Sequence, residues 1–302
     1  MKSDFIWMNG KLIPFEEATV HVLTPTLHYG LGVFEGIRAY ETPKGGAVFR
    51  LTEHLERFLD SAHIAGIRDF PYTVEELYQA TMETIQANQL TECYIRPLIY
   101  MTGPLGLNPD TWSPKVSIAA WEWGPYLGEE ALTKGIHLMV SSFTRHHINV
   151  MMTKAKVSGN YVNSAYAKSL AVRSGYDDAV LLDPEGYVAE CSAENIFLVN
   201  DGILYTPPLA SILDGLTRRS LITIAKDHGI PVREECFSRD QLYTADEVFI
   251  CGTAAEVVPA REIDHRIIGK GTRGPITTIL QKSYLESIRG QGLHSAEWLD
   301  YV

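Results

Sequence analysis

The chain opens with two short apolar runs, residues 5–8 and 11–13, separated by Asn9-Gly10. Both turn residues tolerate positive φ, so the pattern predicts a β-hairpin closed by a type I′ turn. Further strands are expected over 33–40 and 47–50. Leu51, Leu55, Phe58, Leu59 and Ala62 then recur at helical spacing, which predicts a helix over 51–67. A second helix is expected to start at Thr73, whose hydroxyl can cap while Glu76 reaches back, a T-x-x-E capping box. Residues 94–101 and 116–123 read as strands.

The segment 124–135 begins Gly124-Pro125, contains Gly128 and breaks this periodicity, so it is expected to link two halves. Beyond it, strands are expected at 136–143, 179–183, 196–199, 203–205 and 247–251, and helices at 163–173, 216–227 and 276–288. The turns Asp183-Pro-Glu-Gly186 and Asn200-Asp-Gly202 favour antiparallel neighbours over long crossovers. The expected fold class is α+β: two mixed α/β domains with largely antiparallel sheets and a cleft between them. The expected division is a small domain at 1–123, a linker at 124–135 and a larger domain at 136–302.

Composition narrows the functional classes. The 302 residues are 45% hydrophobic and 21% charged, with a formal net charge of -11. That balance argues against nucleic acid as a partner, since a grip on phosphodiester backbones needs a basic footprint. The four cysteines, Cys93, Cys191, Cys236 and Cys251, form no C-x-x-C pair and suggest neither zinc nor a disulfide framework. The first residues lack the apolar core of a signal peptide and no apolar run is long enough to span a bilayer, so a cytoplasmic location is expected.

Several segments could carry chemistry. In Thr153-Lys-Ala-Lys-Val-Ser-Gly-Asn-Tyr161, small residues permit close approach of a flat ligand, and Schiff-base chemistry needs a lysine held out of bulk water. Spacing alone does not choose between Lys154 and Lys156, and most lysines are simply solvated. Gly215-Leu216-Thr217-Arg218-Arg219 opens an expected helix, where N–H groups and a hydroxyl suit a phosphate; plain capping by Asp214 or Thr217 explains it as well. Gly252-Thr253-Ala254-Ala255, at a strand end, offers backbone donors, and an ordinary turn explains it nearly as well. Gly30-Leu-Gly-Val-Phe-Glu-Gly36 is one residue too long for a dinucleotide fingerprint and leads into a strand. His146-His147 are adjacent, point apart on a strand and make no metal pair, so no metal is expected. Glu190 and Glu194 flank Cys191-Ser-Ala, most simply as a solvated turn.

Taken together, eight segments in order over nearly the whole chain resemble the branched-chain amino acid aminotransferases, members of fold class IV among pyridoxal-phosphate enzymes. They are Leu27-His-Tyr-Gly30, Val33-Phe-Glu-Gly-Ile-Arg-Ala-Tyr40, Glu53-His-Leu-Glu-Arg57, Tyr94-Ile-Arg-Pro-Leu98, Lys156-Val-Ser-Gly-Asn-Tyr161, Glu190-Cys-Ser-Ala-Glu-Asn-Ile-Phe197, Asp214-Gly-Leu-Thr-Arg218 and Gly252-Thr-Ala-Ala-Glu256. The resemblance implies pyridoxal 5'-phosphate held on Lys156, which also moves the proton between Cα and C4′. It implies that Glu190 bonds the pyridine nitrogen, that Tyr161 bonds the phenolic oxygen, that Arg57, Leu216, Thr217 and Thr253 hold the phosphate, and that Gly252 also lies against the cofactor. It further implies a substrate pocket from Tyr29, Phe34, Gly36, Arg38, Tyr94, Arg96, Leu107, Trp123, Tyr126, Thr253 and Ala254. In it, Arg96 takes the γ-carboxylate of glutamate, the 253–254 amides take the α-carboxylate, and Tyr29 and Leu107 serve a neighbouring subunit. The implied partners are amino acids and 2-oxo acids, with no membrane, in a homodimer or an assembly of dimers.

Two departures stand out. Asp214 occupies a position where many relatives have Pro or Glu, and its charge could oppose a phosphate unless it points away or caps the helix. Lys156 is followed by Val157-Ser158 instead of the commoner Ala-Gly, narrowing the space beside it. D-amino acid aminotransferases, (R)-selective amine transaminases and aminodeoxychorismate lyases share the fold. The first of these resemble an Arg-x-His pattern where this chain has Tyr94-Ile-Arg96-Pro, which favours the branched-chain reading. A non-catalytic phosphate- or metabolite-binding protein would keep the anion turns but have no use for Lys156.

Overall fold

The computed structural model describes residues 3–124, 127–128 and 130–302. They divide into two compact units: Met1–Trp123 with Lys154–Asn160 and Ser287–Val302, and Gly124–Thr153 with Tyr161–Glu286. The class is mixed α/β, with two sheets that are mostly antiparallel.

The first unit is an eight-stranded antiparallel sheet. Its order runs Leu299–Tyr301, Gly45–Phe49, Ile37–Thr42, Cys93–Thr102, Ser113–Trp121, Phe5–Met8, Lys11–Pro14, with Gly32–Phe34 also on Cys93–Thr102. The hairpin forms as the sequence dictates: Met8 pairs with Lys11, and Asn9 and Gly10 take φ of 51° and 95°. The helix Leu51–Ile64 ends sooner than its apolar spacing suggests, because Gly66 adopts φ 74°. Gly66 N–H then donates to His63 O at 3.0 Å and Ile67 N–H to Ala62 O at 2.9 Å, a Schellman ending. The helix Val74–Ala87 has the Thr73–Glu76 capping box.

The strand expected over 33–40 is two strands. Gly32–Phe34 and Ile37–Thr42 both pair with Cys93–Thr102 but leave Glu35-Gly36 between them, opposite Arg96-Pro97. Pro97 has no N–H to give a ladder, so the neighbouring strand breaks where the donor is missing. Glu35 N–H still donates to Pro97 O at 3.0 Å.

Residues 154–160 follow the expected linker in sequence yet pack with the first unit, not the second. Ala155 and Val157 are buried in that unit's core, Val33 bridges Val157, and Phe34 N–H donates to Lys156 O at 3.1 Å. The C-terminus also returns to it, through Leu299–Tyr301 on Gly45–Phe49. Within the expected linker, residues 125, 126 and 129 lie outside the described ones, and Ala131–Lys134 is a short helix.

The second unit is a nine-stranded mixed sheet ordered Val188–Cys191, Asp178–Leu182, Ile136–Val140, Glu256–Ile263, Glu247–Gly252, Asn195–Asn200, Ile203–Thr206, Val232–Glu234, with Arg266–Ile267 beside Glu256–Ile263. Ile136–Val140 runs parallel to both its neighbours, and Val232–Glu234 runs parallel to Ile203–Thr206. The helices Tyr161–Arg173 and Leu216–Asp227 belong to this unit, as does Pro275–Ile288 up to Glu286.

Gly36 sits where the strand breaks, and a Cβ there would collide with the Tyr94 hydroxyl. The Tyr94 ring cannot yield easily, since it is 5.3 Å from Trp121 and 4.7 Å from Trp123 between centroids. Gly36→Ala is therefore expected to lower stability by about 1–3 kcal/mol. Adding Tyr94→Phe should recover part of that loss in chemical denaturation, and strictly additive effects would show that the collision is relieved elsewhere.

Candidate active site

In the first unit, the residues around Lys156 are held by the broken strand and the helix behind it. Lys156 is tied at both backbone groups: its N–H donates to Ser61 Oγ at 3.0 Å, and its carbonyl accepts from Phe34. Gly159 N–H donates to Gly30 O at 3.0 Å, fastening the other end of the segment. The Lys156 ammonium then stands 5.0 Å from the centre of the Phe34 ring. The Arg96 guanidinium packs against the same ring at 4.7 Å and donates through Nη2 to the Tyr94 hydroxyl at 3.2 Å. Its Nε–H is buried with no hydrogen-bond acceptor among the described residues. Arg38 is buried and donates through Nη2 to Trp123 O at 2.8 Å.

A buried acid organises this group. Glu35 is fully buried, and its carboxylate accepts from Arg57 Nε at 2.7 Å, Arg57 Nη2 at 2.9 Å and His54 Nδ1 at 2.8 Å. Burial alone would favour its neutral form, but the Arg57 charge and the His54 hydrogen bond outweigh it and hold the carboxyl well below the usual range. Burial in turn pushes His54 down, against the pull of Glu35. A bidentate pair of this kind fixes the Arg57 guanidinium plane. Tyr29, by contrast, is 41% exposed and stacked on Trp112 at 5.6 Å, and Leu107 is 82% exposed.

In the second unit, Glu190 is a buried carboxylate in the strand Val188–Cys191. Arg145 Nε lies 2.8 Å from its Oε1, while Leu213 N–H and Asn195 Nδ2 donate to Oε2 at 3.2 and 3.5 Å. Arg145 Nη1 also donates to His146 Nδ1 at 3.3 Å. Burial and then the Arg145 charge hold the His146 pKa down to about 4, which keeps that nitrogen an acceptor. Leu216 and Thr217 form the first turn of Leu216–Asp227, both buried, with Gly215 as N-cap. A Cβ on Gly215 would collide with Asn195 Oδ1, so the residue that closes the helix also packs on the amide that supports Glu190. Asp214 is held by Arg219, Nε to Oδ1 at 2.9 Å and Nη2 to Oδ2 at 2.6 Å, so its charge is neutralised in place. Gly252 closes a strand, and Thr253 and Ala254 lie in the turn to the next strand. Tyr161 is the first residue of its helix, and Tyr126 lies outside the described residues.

The first unit thus brings together Phe34, Gly36, Arg38, Arg57, Tyr94, Arg96, Trp123 and Lys156. The second holds Glu190, Leu216, Thr217, Gly252, Thr253 and Ala254. Sequence reasoning left out Glu35, His54, Ser61, Arg145 and Asn195. Glu35 had a signal, a lone carboxylate inside an apolar strand. Arg145 had none, because its partner lies 45 residues away in sequence, at Glu190.

Residues 32–263 match the family model for class IV aminotransferases. The branched-chain-amino-acid aminotransferase of Pseudomonas aeruginosa is 50% identical over 98% of this chain and 97% of its own. That of Escherichia coli is 46% identical over 100% of this chain and 98% of its own. Among solved structures, the T.th. branched-chain amino acid aminotransferase with pyridoxamine 5'-phosphate superposes with a TM-score of 0.96 at 53% identity, covering 100% of this chain and 99% of that one. The same enzyme complexed with N-(5'-phosphopyridoxyl)-L-glutamate gives a TM-score of 0.95 at 51% identity, covering 100% and 99%. The chain belongs to the class IV aminotransferases.

Proposed function

We propose that this chain is a pyridoxal-phosphate-dependent branched-chain amino acid aminotransferase, moving the amino group between L-leucine, L-isoleucine or L-valine and 2-oxoglutarate. The observation that carries the reading is the fastening of Lys156. A surface lysine does not need both backbone groups bonded to a strand and a helix, whereas a lysine that must present its amine at one point does.

The residues present fit the cofactor. Leu216–Asp227 has Gly215 at its N-cap, with the Thr217 hydroxyl buried in its first turn. In the second unit this is chemistry suited to a phosphate, with Thr253 a further donor at a strand end; in the first unit Arg57 is a guanidinium oriented by Glu35. The Glu190 carboxylate suits a protonated ring nitrogen: Arg145 favours its charged form, and the Leu213 and Asn195 bonds hold one oxygen in place. When bound, pyridoxal phosphate supplies an electron sink that lets the substrate's Cα–H ionise.

Lys156 would hold the cofactor covalently, and its amine would take and return the Cα proton. Tyr161 would donate to the cofactor's phenolic oxygen. The 253–254 backbone would bind the α-carboxylate. Phe34, Tyr94 and Trp123 present ring surfaces to an aliphatic side chain, which discriminates isoleucine from valine weakly because one methylene is worth about 1–3 kcal/mol. Arg96 would accept the γ-carboxylate of glutamate, which its unmatched buried Nε–H supports. One pocket can then serve both halves of the exchange.

Tyr29 and Leu107, both exposed here, are assigned to a second copy's site in a homodimer. No helix among the described residues is long and apolar enough to cross a membrane. With four free cysteines, we place the enzyme in the cytoplasm.

Lys156→Ala should lower transamination by about 10²–10⁴-fold or abolish it, with the protein folded and still binding cofactor noncovalently. Full turnover in that variant would move the assignment, with Lys154 the first suspect. Glu190→Gln should slow kcat by about tenfold or more while KM changes less, and an unchanged kcat would remove Glu190 from the mechanism.

A further inference from the structure

The loop 103–111 joins the strands Cys93–Thr102 and Ser113–Trp121 of the first unit and carries Leu107. Its own burial does not hold it in place, since every residue from 103 to 111 is exposed. The residue that follows is different: Trp112 is buried in the core of the unit. Its indole N–H donates to Pro104 O at 2.9 Å and its backbone N–H to Pro109 O at 3.0 Å, so the segment 104–109 closes on this one residue from both ends. A Cβ on Gly103 would stand 3.2 Å from Trp112 Cδ1, so glycine lets the loop start against the ring. Within the loop, Asn108 Oδ1 accepts from Asp110 N–H at 3.2 Å and its carbonyl from Thr111 Oγ1 at 2.8 Å, which fixes the turn beside Leu107.

The same indole carries Tyr29. The two rings lie 5° from parallel with centroids 5.6 Å apart, an offset stack. Tyr29 ends the short helix Pro25–Tyr29, which is tied to the sheet through Thr26: its hydroxyl donates to Leu31 O at 2.6 Å and accepts from Met101 N–H at 2.7 Å. The phenol ring itself remains 41% exposed, so Trp112 is the surface that sets its orientation. Two residues far apart in sequence, both assigned above to a second copy's site, thus rest on one buried tryptophan.

We propose that Trp112 is a positioning residue that acts across the dimer: it holds Tyr29 and the Leu107 loop as one wall, against which the second copy's site receives an aliphatic side chain. The proposal rests on the assignment of Tyr29 and Leu107 to that site. An aliphatic side chain gains most from apolar surface that is already in place, because ordering a loose wall costs conformational entropy that offsets the burial. Glutamate depends less on this wall, since its γ-carboxylate is assigned to Arg96 of the chain that supplies Lys156. Trp112→Ala should therefore lower kcat/KM for L-leucine about tenfold, chiefly through KM, and lower that for L-glutamate less. Trp112→Phe keeps a ring for the stack and loses the bond to Pro104, and should fall between Trp112→Ala and wild type.

Mixed dimers of the holoenzyme, isolated with two different tags, separate this role from damage to the variant chain's own fold. Trp112→Ala paired with Lys156→Ala keeps one lysine, on the Trp112→Ala chain, and that site faces the intact wall of the other copy. Its kcat/KM for leucine should return to that of wild type paired with Lys156→Ala. Wild type paired with the double variant Trp112→Ala/Lys156→Ala keeps its lysine on the intact chain, facing the loosened wall, and should retain the loss. The reverse pattern, an equal effect in both pairings, or equal losses for leucine and glutamate would overturn the proposal. If Trp112→Ala does not fold, the same pairings made with Trp112→Phe carry the same signs. Failure of the parent reading looks different: wild type that sediments as a monomer removes the homodimer assignment and this proposal with it, before any variant is compared.

Discussion

The peptide unit of Lys156 is bonded on both sides, its N–H to the Ser61 hydroxyl on a helix and its carbonyl to the Phe34 N–H on a strand. Neither bond is available to a chain that stays within the second unit, so residues 154–160 must leave that unit and join the first. The broken strand makes the join, with Val33 bridging Val157 beside Phe34. The break itself traces to Pro97, whose missing donor lies opposite Glu35-Gly36. A single proline thus frees the segment that presents Phe34 to Lys156 and turns Glu35 onto Arg57.

Three buried glutamates illustrate how environment sets the role of one side chain. Glu35, against Arg57 and His54, is held ionised and orients a guanidinium. Glu190, beside Arg145 and a backbone N–H, is a carboxylate with fixed oxygens. Glu194, buried close to Asp178, has its pKa pushed up to about 8 by burial and then by the Asp178 charge. Burial raises both Glu35 and Glu194, and the neighbouring charge, Arg57 for one and Asp178 for the other, decides the outcome.

Much of the fold was legible because local rules suffice for it. Asn9-Gly10 dictates its turn, Thr73 and Glu76 cap their helix, and Leu216–Asp227 begins where its pattern begins. What was not legible depends on residues far apart in sequence. Glu35-Gly36 reads as strand until Cys93–Thr102 is placed beside it. Residues 154–160 were assigned to the half that surrounds them in sequence, and only their packing against Val33 and Ser61 shows otherwise. The strand Glu256–Ile263 was missed, and Pro259 within it argues locally against a strand. At the site, spacing could not separate Lys154 from Lys156, and the family resemblance named the latter. Asp214 is paired with Arg219, five residues on, a contact that the sequence permits but does not reveal.

The central claim is that the Lys156 amine is the point of covalent attachment for the cofactor. Borohydride reduction of the cofactor-loaded protein, followed by peptide mapping, tests it most directly. A stable phosphopyridoxyl group on Lys156, and on no other lysine, is the predicted result. A label on Lys154, a label elsewhere, or none at all in fully loaded protein would contradict the account.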